Sequence, residues 1–265
     1  MSPSPTAGLG RRLLHRLAPF AGLALLVAAW DVALRLAPGS LLPRPAEVVA
    51  ALGRLAATDE LLGHVVASVF RVTWGFLLAA VTAVPAGVAL GLVRPANAAL
   101  GPLFELLRPI SPLAWIPLAI LWLGVGDLAA VAIIFLGSFL PLVLATENAV
   151  RTMSEVHLAA GRNFGLDGVA LARRVVLPSI LPSLVVGLRL SLGIAWLVVV
   201  AAEMIAVTSG LGFLIIDARN AGNRYDVVVG GMVMIGLIGV ALDAGMRRLE
   251  RSLVAGRGAE AGEPA

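Results

Sequence analysis

Two ionisable residues, Arg189 and Glu203, lie fourteen positions apart in one long apolar stretch of the sequence. An ionisable side chain inside a membrane span is costly to bury and by default indicates a site for a substrate or an ion. If the span begins near Ile180, the helical rise of about 1.5 Å per residue puts Arg189 about 13 Å into it, close to the bilayer midplane. A cation at that depth suits an anionic substrate.

Both residues also have structural interpretations, which the sequence leaves open. Arg189 could pair with Glu105, Glu147 or another acid, and Glu203 could accept a structural hydrogen bond rather than couple an ion. A second apolar stretch carries prolines next to aromatic residues. The candidate path across the membrane therefore comprises Arg189, Glu203, Pro112, Trp115 and Pro117.

The residue types that are missing exclude several classes of chemistry. All twenty basic residues are Arg, so the chain has no phosphate-binding Lys of a P-loop and no Schiff-base Lys. There is no Cys for a disulfide, a thiolate nucleophile or a metal. The three histidines, His15, His64 and His157, lie far apart and have no partner at i+4. We therefore expect no metal site, no catalytic site and no cofactor.

The composition indicates a membrane protein. Hydrophobic residues make up 59% of the 265 positions and the mean hydropathy is +0.96, whereas soluble domains are about 45–50% apolar. The computed pI near 11.1 might suggest nucleic acid. Because the arginines are divided among the loops of a hydrophobic chain, they are better interpreted as signals of membrane orientation.

The apolar runs predict an all-α protein with six transmembrane helices. The spans are expected at about 17–37, 66–93, 103–124, 128–149, 180–206 and 227–246. An amphipathic helix is predicted in PAEVVAALGRLAA, and residues 209–226 should form an external connection. The third span contains Pro109, Pro112 and Pro117, which is tolerated only where protein or water covers the irregular backbone.

The distribution of arginines predicts the orientation. With the N-terminus inside, twelve arginines fall on cytoplasmic segments and four on external ones, and the excess of Arg marks the cytoplasmic side. The predicted domains are a cytoplasmic N-terminal segment at 1–16, a six-span domain at 17–250 and a disordered cytoplasmic tail at 251–265. The longest polar interval, 152–182, is then cytoplasmic.

This polar interval predicts two short helices joined by a corner. Thr152 and Glu155 have the spacing of a capping box before a helix at about 153–163. Gly165 suits a left-handed residue at the helix exit, and Asp167 can cap a second helix. Pro178 is expected to stop that second helix.

The same interval resembles a loop found in the membrane subunits of ABC importers, whose pattern is E-A-A, three residues, G, nine residues, then I-x-L-P. In this sequence the glycine place falls on Gly165 and the isoleucine place on Val175. The name-giving glutamate is absent, since Ala159 takes its place. The stretches LPRPAEVVAAL, RPISPLAWIPLAILWLG and LPSLVVGLRLSLGIAWLVVVAAEMI also resemble the nitrate, sulfonate and taurine group of these permeases.

The resemblance, which covers about residues 40–250, implies the permease subunit of a type I ABC importer in the cell inner membrane. The resemblance also implies that the chain would not be an enzyme itself, because ATP would be hydrolysed on a separate ABC ATPase. Two copies of the chain, two ATPases and an external solute-binding protein would form the transporter, within the lipid bilayer and without nucleic acid. The loop at 150–179 would dock on the ATPase through Ala159, Ala160, Gly161, Arg162, Gly165, Val175, Leu177 and Pro178.

Some alternatives stay open. Arg162, Arg173 and Arg174 could contact the ATPase or lipid headgroups. The substrate class implied by the resemblance is a small anion such as a sulfonate, taurine or nitrate, although related permeases also move neutral heterocycles. An ion-gradient-driven secondary transporter is the alternative function, but no repeated halves are visible. An intramembrane enzyme would need a catalytic motif that the sequence lacks.

Overall fold

The computed structural model describes residues 5–37 and 39–260, with side chains described at 21–37 and 39–253. Every regular element in this part of the chain is helical. In chain order the α-helices are α1 Pro5–Leu36, α2 Pro45–Ala57, α3 Glu60–Leu92, α4 Arg94–Leu107, α5 Ile116–Leu123, α6 Asp127–Arg151, α7 Glu155–Asn163, α8 Gly168–Leu171, α9 Leu177–Ala206, α10 Leu211–Asn220 and α11 Tyr225–Glu260.

Four helical segments of the described chain are long and apolar enough to cross a membrane: Glu60–Leu92, Asp127–Arg151, Gly168–Ala206 and Tyr225–Leu253. They coincide with the predicted second, fourth, fifth and sixth spans. Helix α1 covers the predicted first span, but side chains before residue 21 lie outside the described residues. The first span and the cytoplasmic segment 1–16 therefore stay predictions.

The irregular backbone that the prolines predict in the third span at 103–124 takes the form of a sharp break. Helix α4 ends at Leu107 and the chain resumes as a 3-10 turn at Pro112–Trp115 that leads into α5, with an 89° bend between the two parts. Pro109 and Pro112 cannot donate backbone hydrogen bonds, so the helix is interrupted between them. The Ser111 hydroxyl accepts from the Leu113 N–H at 3.3 Å and starts the second part. The bent pair crosses, or enters, the membrane as a broken element.

Helices α3, α6 and α9 form the centre of the bundle. Small residues recur every fourth position along α3, so that its backbone approaches α6 closely. A Cβ atom added at Gly87 would lie 2.6 Å from the Thr146 Cβ. One at Gly75 would lie 2.6 Å from an Ile134 methyl group. The complete stripe is Gly75, Ala79, Ala83, Gly87 and Gly91, and this interface depends on the absence of larger side chains.

Helix also occurs in two predicted segments for which the sequence named no element. The connection predicted at 209–226 contains helix α10, which buries Leu211, Leu214 and Ile215. Helix α11 continues to Glu260, while residues 261–265 lie outside the described residues, so the disordered tail at 251–265 stays a prediction. The amphipathic helix predicted in PAEVVAALGRLAA is confirmed as α2.

Candidate functional site

The loop at 150–179 begins differently from the prediction. Helix α7 starts at Glu155, and the Ser154 hydroxyl accepts from the Val156 N–H at 3.4 Å. The Thr152 hydroxyl instead donates to the Asn148 carbonyl at 2.8 Å, at the end of α6. The predicted capping box of Thr152 and Glu155 is wrong, because α6 continues to Arg151 and uses Thr152 as its C-terminal cap.

The corner predicted at Gly165 is confirmed. Its φ is +74°, in the left-handed region that favours glycine. The Leu166 N–H donates to the Gly161 carbonyl at 3.1 Å and so closes the end of α7. Asp167 takes the position before α8, as predicted, but its side chain makes no capping hydrogen bond.

The prediction that Pro178 stops the second helix is wrong. One helical segment runs from Gly168 to Ala206, passing through a widened π turn at Ala172–Val176 before α9. Pro178 lies in the first turn of α9. The π turn changes the hydrogen-bond register there, and a first-turn proline needs no N–H for the helix to continue. The loop is therefore joined to a membrane span without a flexible break.

Helix α7 has one face packed against this segment. Gly161 is buried, and a Cβ atom added there would lie 2.7 Å from the Leu171 Cδ1 and 3.0 Å from a Val175 methyl group. A side chain at position 161 would require the Leu171 and Val175 side chains to move. The small residue at 161 therefore fixes where α7 lies, together with the left-handed corner at Gly165.

Another side of α7, up to its C-cap Phe164, carries exposed apolar side chains. Val156 is 73% exposed and Phe164 is 85% exposed, with the exposed Ala160 between them. These three residues, spaced at i, i+4 and i+8, follow one side of the helix, and we call them the outer stripe. Large apolar side chains this exposed beside a polar loop indicate a surface that a partner protein covers. The sequence prediction named Ala160 but missed Val156 and Phe164.

A cavity of about 770 Å³ lies between α4, the 3-10 turn and α6. Its wall includes Pro112, and its charged residues are Glu105, Arg108 and the ion pair of Glu147 with Arg151. Arg108 is exposed and makes no ion pair with any residue whose side chain is described. The bend between α4 and α5 forms this concave surface, so a proline-broken segment creates the cavity.

Of the five predicted path residues, Pro112 lies in the wall of this cavity. Trp115 is half-buried against the central core, and Pro117 is exposed elsewhere. The Arg189 guanidinium pairs with Asp243 at 2.6 Å and with Glu250 at 3.5 Å. The acids first considered for it, Glu105 and Glu147, are not its partners.

Glu203 is fully buried in an ion pair with Arg71, whose side chain is 2% exposed. The Arg71 Nη1 lies 2.7 Å from the Glu203 Oε1, and the Ser68 hydroxyl donates to the other carboxylate oxygen at 2.9 Å. The sequence prediction missed this role of Arg71. The available signal was an ionisable residue of opposite sign in another apolar stretch, the predicted second span.

The loop before α10 closes around this pair. The Gly212 N–H donates to Glu203 at 3.0 Å, and Arg71 also donates to the Ser209 carbonyl at 2.7 Å. Gly210 has a φ of +105° and lies against the Glu203 carboxylate with no room for a Cβ atom. The network thus holds α3, α9 and α10 together, and it has no open space for a solute.

Among the described residues, no group of three or more His, Cys, Asp or Glu side chains is placed to hold a metal ion.

Comparisons with known proteins identify the family. A family model described as "Binding-protein-dependent transport system inner membrane component" matches residues 75–255. A putative ABC transporter permease of Methanocaldococcus jannaschii is 40% identical over 233 residues, covering 86% of this chain and 87% of the relative. The taurine transport system permease of Escherichia coli is 34% identical over 237 residues, covering 86% and 85%.

The fold also matches a solved structure. A chain of the MetNI methionine ABC transporter, in an inward-facing conformation, aligns with a TM-score of 0.66 at 20% identity, covering 73% of this chain and 95% of that one. At this identity the likeness shows the fold alone, which is that of a type I ABC importer permease. This chain therefore belongs to the family of binding-protein-dependent inner membrane transport components, the multi-pass permease subunits of ABC transporters, in which a separate subunit hydrolyses ATP.

Proposed function

We propose that two copies of this chain, with two ATPase subunits and an external binding protein, import a small sulfonate-type anion. The substrate class rests on the taurine permease, which is 34% identical across most of both chains. The observation that carries the proposal is the cavity at the bent pair, where Arg108 has no ion-pair partner among the described side chains. A guanidinium forms short, paired hydrogen bonds with the oxygens of an oxyanion.

In this proposal the outer stripe docks in a cleft of the ATPase. Burial of Val156 and Phe164 would remove two large apolar side chains from water, which is the dominant favourable term in most protein association. The loop and both chain termini lie in the cytoplasm, as the Arg distribution indicates. One docking loop per chain implies two permease chains for two ATPases. Two identical copies of this chain satisfy that requirement, so a different permease chain is not needed.

The helical connection at 168–206 would transmit the motion of the ATPase. Because Gly161 packs directly on Leu171, a shift of α7 pushes the start of the α8–α9 segment. Closure of the two ATPases on ATP would then move the two permeases from an inward-open to an outward-open state, and hydrolysis would reset them. The binding protein would deliver the substrate on the other side of the membrane.

The path would follow the cavity lined by Arg108 and Pro112, while Arg189, Glu203, Trp115 and Pro117 remain candidates from the sequence. The ion pairs of Arg189 and Glu203 favour a structural role for both. Two opposite charges that are already paired offer an anion little further attraction. An unpaired cation in a concave wall is the better binding group.

The test is uptake into liposomes that contain the purified permease, its ATPase and its binding protein, both taken from neighbouring reading frames. We expect ATP-dependent, vanadate-sensitive uptake of labelled taurine or of an alkanesulfonate. Arg108→Gln should reduce uptake while ATP hydrolysis persists, and Arg219→Gln should leave uptake unchanged. Uptake that collapses with an ion gradient, and not with vanadate, would overturn the proposal.

A further inference from the structure

A second concave surface lies beside the loop at 150–179. A groove of about 750 Å³ runs between the last turns of α3 and the beginning of the α8–α9 segment. Val84, Val88 and Leu92 of α3 form one wall, and Val169 and Leu177 lie across from them. Val169 is 82% exposed, although its neighbours in the groove are apolar. We call this surface the apolar groove.

The apolar groove begins inside a membrane span. From Val84 to Leu92 it follows eight residues of α3, about 12 Å at the helical rise. Leu92 is the last residue of that span, so the open end of the groove lies where the bilayer meets the headgroup region. A hydrocarbon chain of one leaflet can therefore reach it without leaving the membrane.

The rim of the groove carries two cations. Arg162 and Arg173 both line it and both are exposed, and neither has an ion pair or a side-chain hydrogen bond with the described residues. Asp167 is the single acid in the same wall. On the other side of Arg162, a cavity of about 780 Å³ adds Arg94, together with Glu155 and an Arg151 that is already paired with Glu147 at 3.2 Å. The charge at the groove mouth is positive.

The position of Arg162 on α7 separates the groove from the outer stripe. Leu158, Ala159 and Arg162 face the neighbouring cavity, whereas Val156 and Phe164 face outward on the other side of the helix. A partner protein that covers the outer stripe can therefore leave the groove open to the bilayer. An apolar cleft that opens off a span, with arginines at its mouth, has the chemistry of a lipid site.

We propose that the apolar groove holds one anionic phospholipid, with an acyl chain against Val88 and Leu92 and its phosphate between Arg162 and Arg173. A lipid there fills the space between the span and the loop, and so joins the loop to the leaflet on that side. The occupant is a phospholipid rather than a protein because one wall of the groove belongs to the membrane-embedded end of α3.

The experiment uses the absence of cysteine in the chain. Val169→Cys gives a unique thiol at the groove, which is labelled with bimane in the full-length permease. Brominated phosphatidylglycerol and brominated phosphatidylcholine are then added separately, since bromine quenches bimane only at short range. Phosphatidylglycerol should quench at a much lower mole fraction than phosphatidylcholine, and inorganic phosphate should not relieve the quenching. The matched control, Val156→Cys on the outer stripe, should show no preference.

The second part of the experiment removes the two cations at the rim of the groove. In the Val169→Cys background, Arg162→Gln with Arg173→Gln should lower the apparent affinity for phosphatidylglycerol by about tenfold. Arg219→Gln with Arg224→Gln should change nothing, and circular dichroism should show that both double variants keep their helices. Equal quenching by the two lipids, or an unchanged preference in the first double variant, would overturn the proposal. Relief of quenching by the added ATPase subunit would also overturn it, since the groove would then be a protein contact.

Discussion

The guanidinium of Arg71 and the carboxylate of Glu203 meet 2.7 Å apart inside the bundle, although 132 residues separate them in the chain. Both side chains are almost completely removed from solvent. Asp127, Ser68 and Ser209 complete their hydrogen bonds. A buried pair of this kind is tolerated only when every polar atom finds a partner, and no buried side-chain N or O atom of the described residues lacks one.

Removing one member of this pair should destabilise the permease. Among the described side chains, Glu203→Ala leaves the exposed Asp127 as the carboxylate paired with the buried guanidinium, and the loss costs about 3 kcal/mol, the low end for a broken buried pair. At about 2–4 °C per kcal/mol, the unfolding temperature should fall by about 6 °C or more. Tryptophan fluorescence of the purified chain during heating measures this fall.

The control is the exposed ion pair between Arg54 and Asp226, which is 2.7 Å long. Arg54→Ala should lower stability by less than about 1 kcal/mol, because solvent already screens that pair. A double variant, Arg71→Met with Glu203→Met, should be more stable than Glu203→Ala, since no unpaired charge remains buried. If Glu203→Ala and Arg54→Ala had equal effects, the pair would not hold the bundle together.

Gly165→Val should uncouple ATP hydrolysis from uptake while the protein still inserts. A β-branched residue strongly disfavours the left-handed backbone that the corner at +74° requires. No atom lies within 4 Å of a Cβ built there, so the effect would come from the backbone and not from crowding. Gly165→Asn is the matched control, because Asn adopts this conformation more readily. Equal transport by both variants would contradict the prediction.

Charge on the outer stripe should release the ATPase. Val156→Asp with Phe164→Asp places two carboxylates where apolar side chains are now exposed, and burying an unpaired charge is far costlier than burying an apolar group. We expect the ATPase to be lost on co-purification, with the permease still folded. Arg162→Gln lies on the other side of α7 and should keep the ATPase bound. If the ATPase stayed bound to the Val156→Asp, Phe164→Asp variant and was lost from Arg162→Gln, the assignment of the two faces of α7 would be reversed.

Gly87→Ala should loosen the packing of α3 on α6. The new methyl group would meet the Thr146 Cβ and the Val143 carbonyl at 2.6 Å, and the carbonyl cannot move without the helix. Overpacking of this kind costs about 1–3 kcal/mol. Gly63→Ala, where nothing lies within 4 Å, should be neutral or slightly stabilising, since Ala favours helix more than Gly. Thermal melts of the two variants distinguish the cost of overpacking, expected at position 87, from the gain in helix propensity, expected at position 63.

The sequence by itself determined the class of the molecule and most of its helices. A mean hydropathy of +0.96 can be accommodated only in a bilayer or a wholly buried core, and apolar runs of span length predict the long helices. The left-handed corner at Gly165 was also predictable, because a glycine two residues after a helix has a local backbone reason to be there. These features depend on neighbours in the chain.

Other local signals led to wrong predictions because the same residue type is compatible with two different local structures. Thr152 could cap the end of α6 or the start of α7, and in the structure it caps the end of α6, the longer helix. Pro178 could end a helix or lie in the first turn after a π turn, and the sequence contains no marker for the π turn. Prolines also predicted irregular backbone at 103–124, but not the 89° bend that makes the cavity.

Only the tertiary structure decided the partners of the ionisable residues. Arg189 forms ion pairs with Asp243 and Glu250 on α11, and Glu203 forms one with Arg71 on α3. In each case the partner is more than 50 positions away in the chain. A charge inside a span must be paired, but helices that are distant in sequence supply the partner, and the packing of small residues sets which helices meet. The same packing leaves Arg108, Arg162 and Arg173 without ion-pair partners among the described side chains, and each of them also lines a cavity or groove, which makes it a candidate binding group.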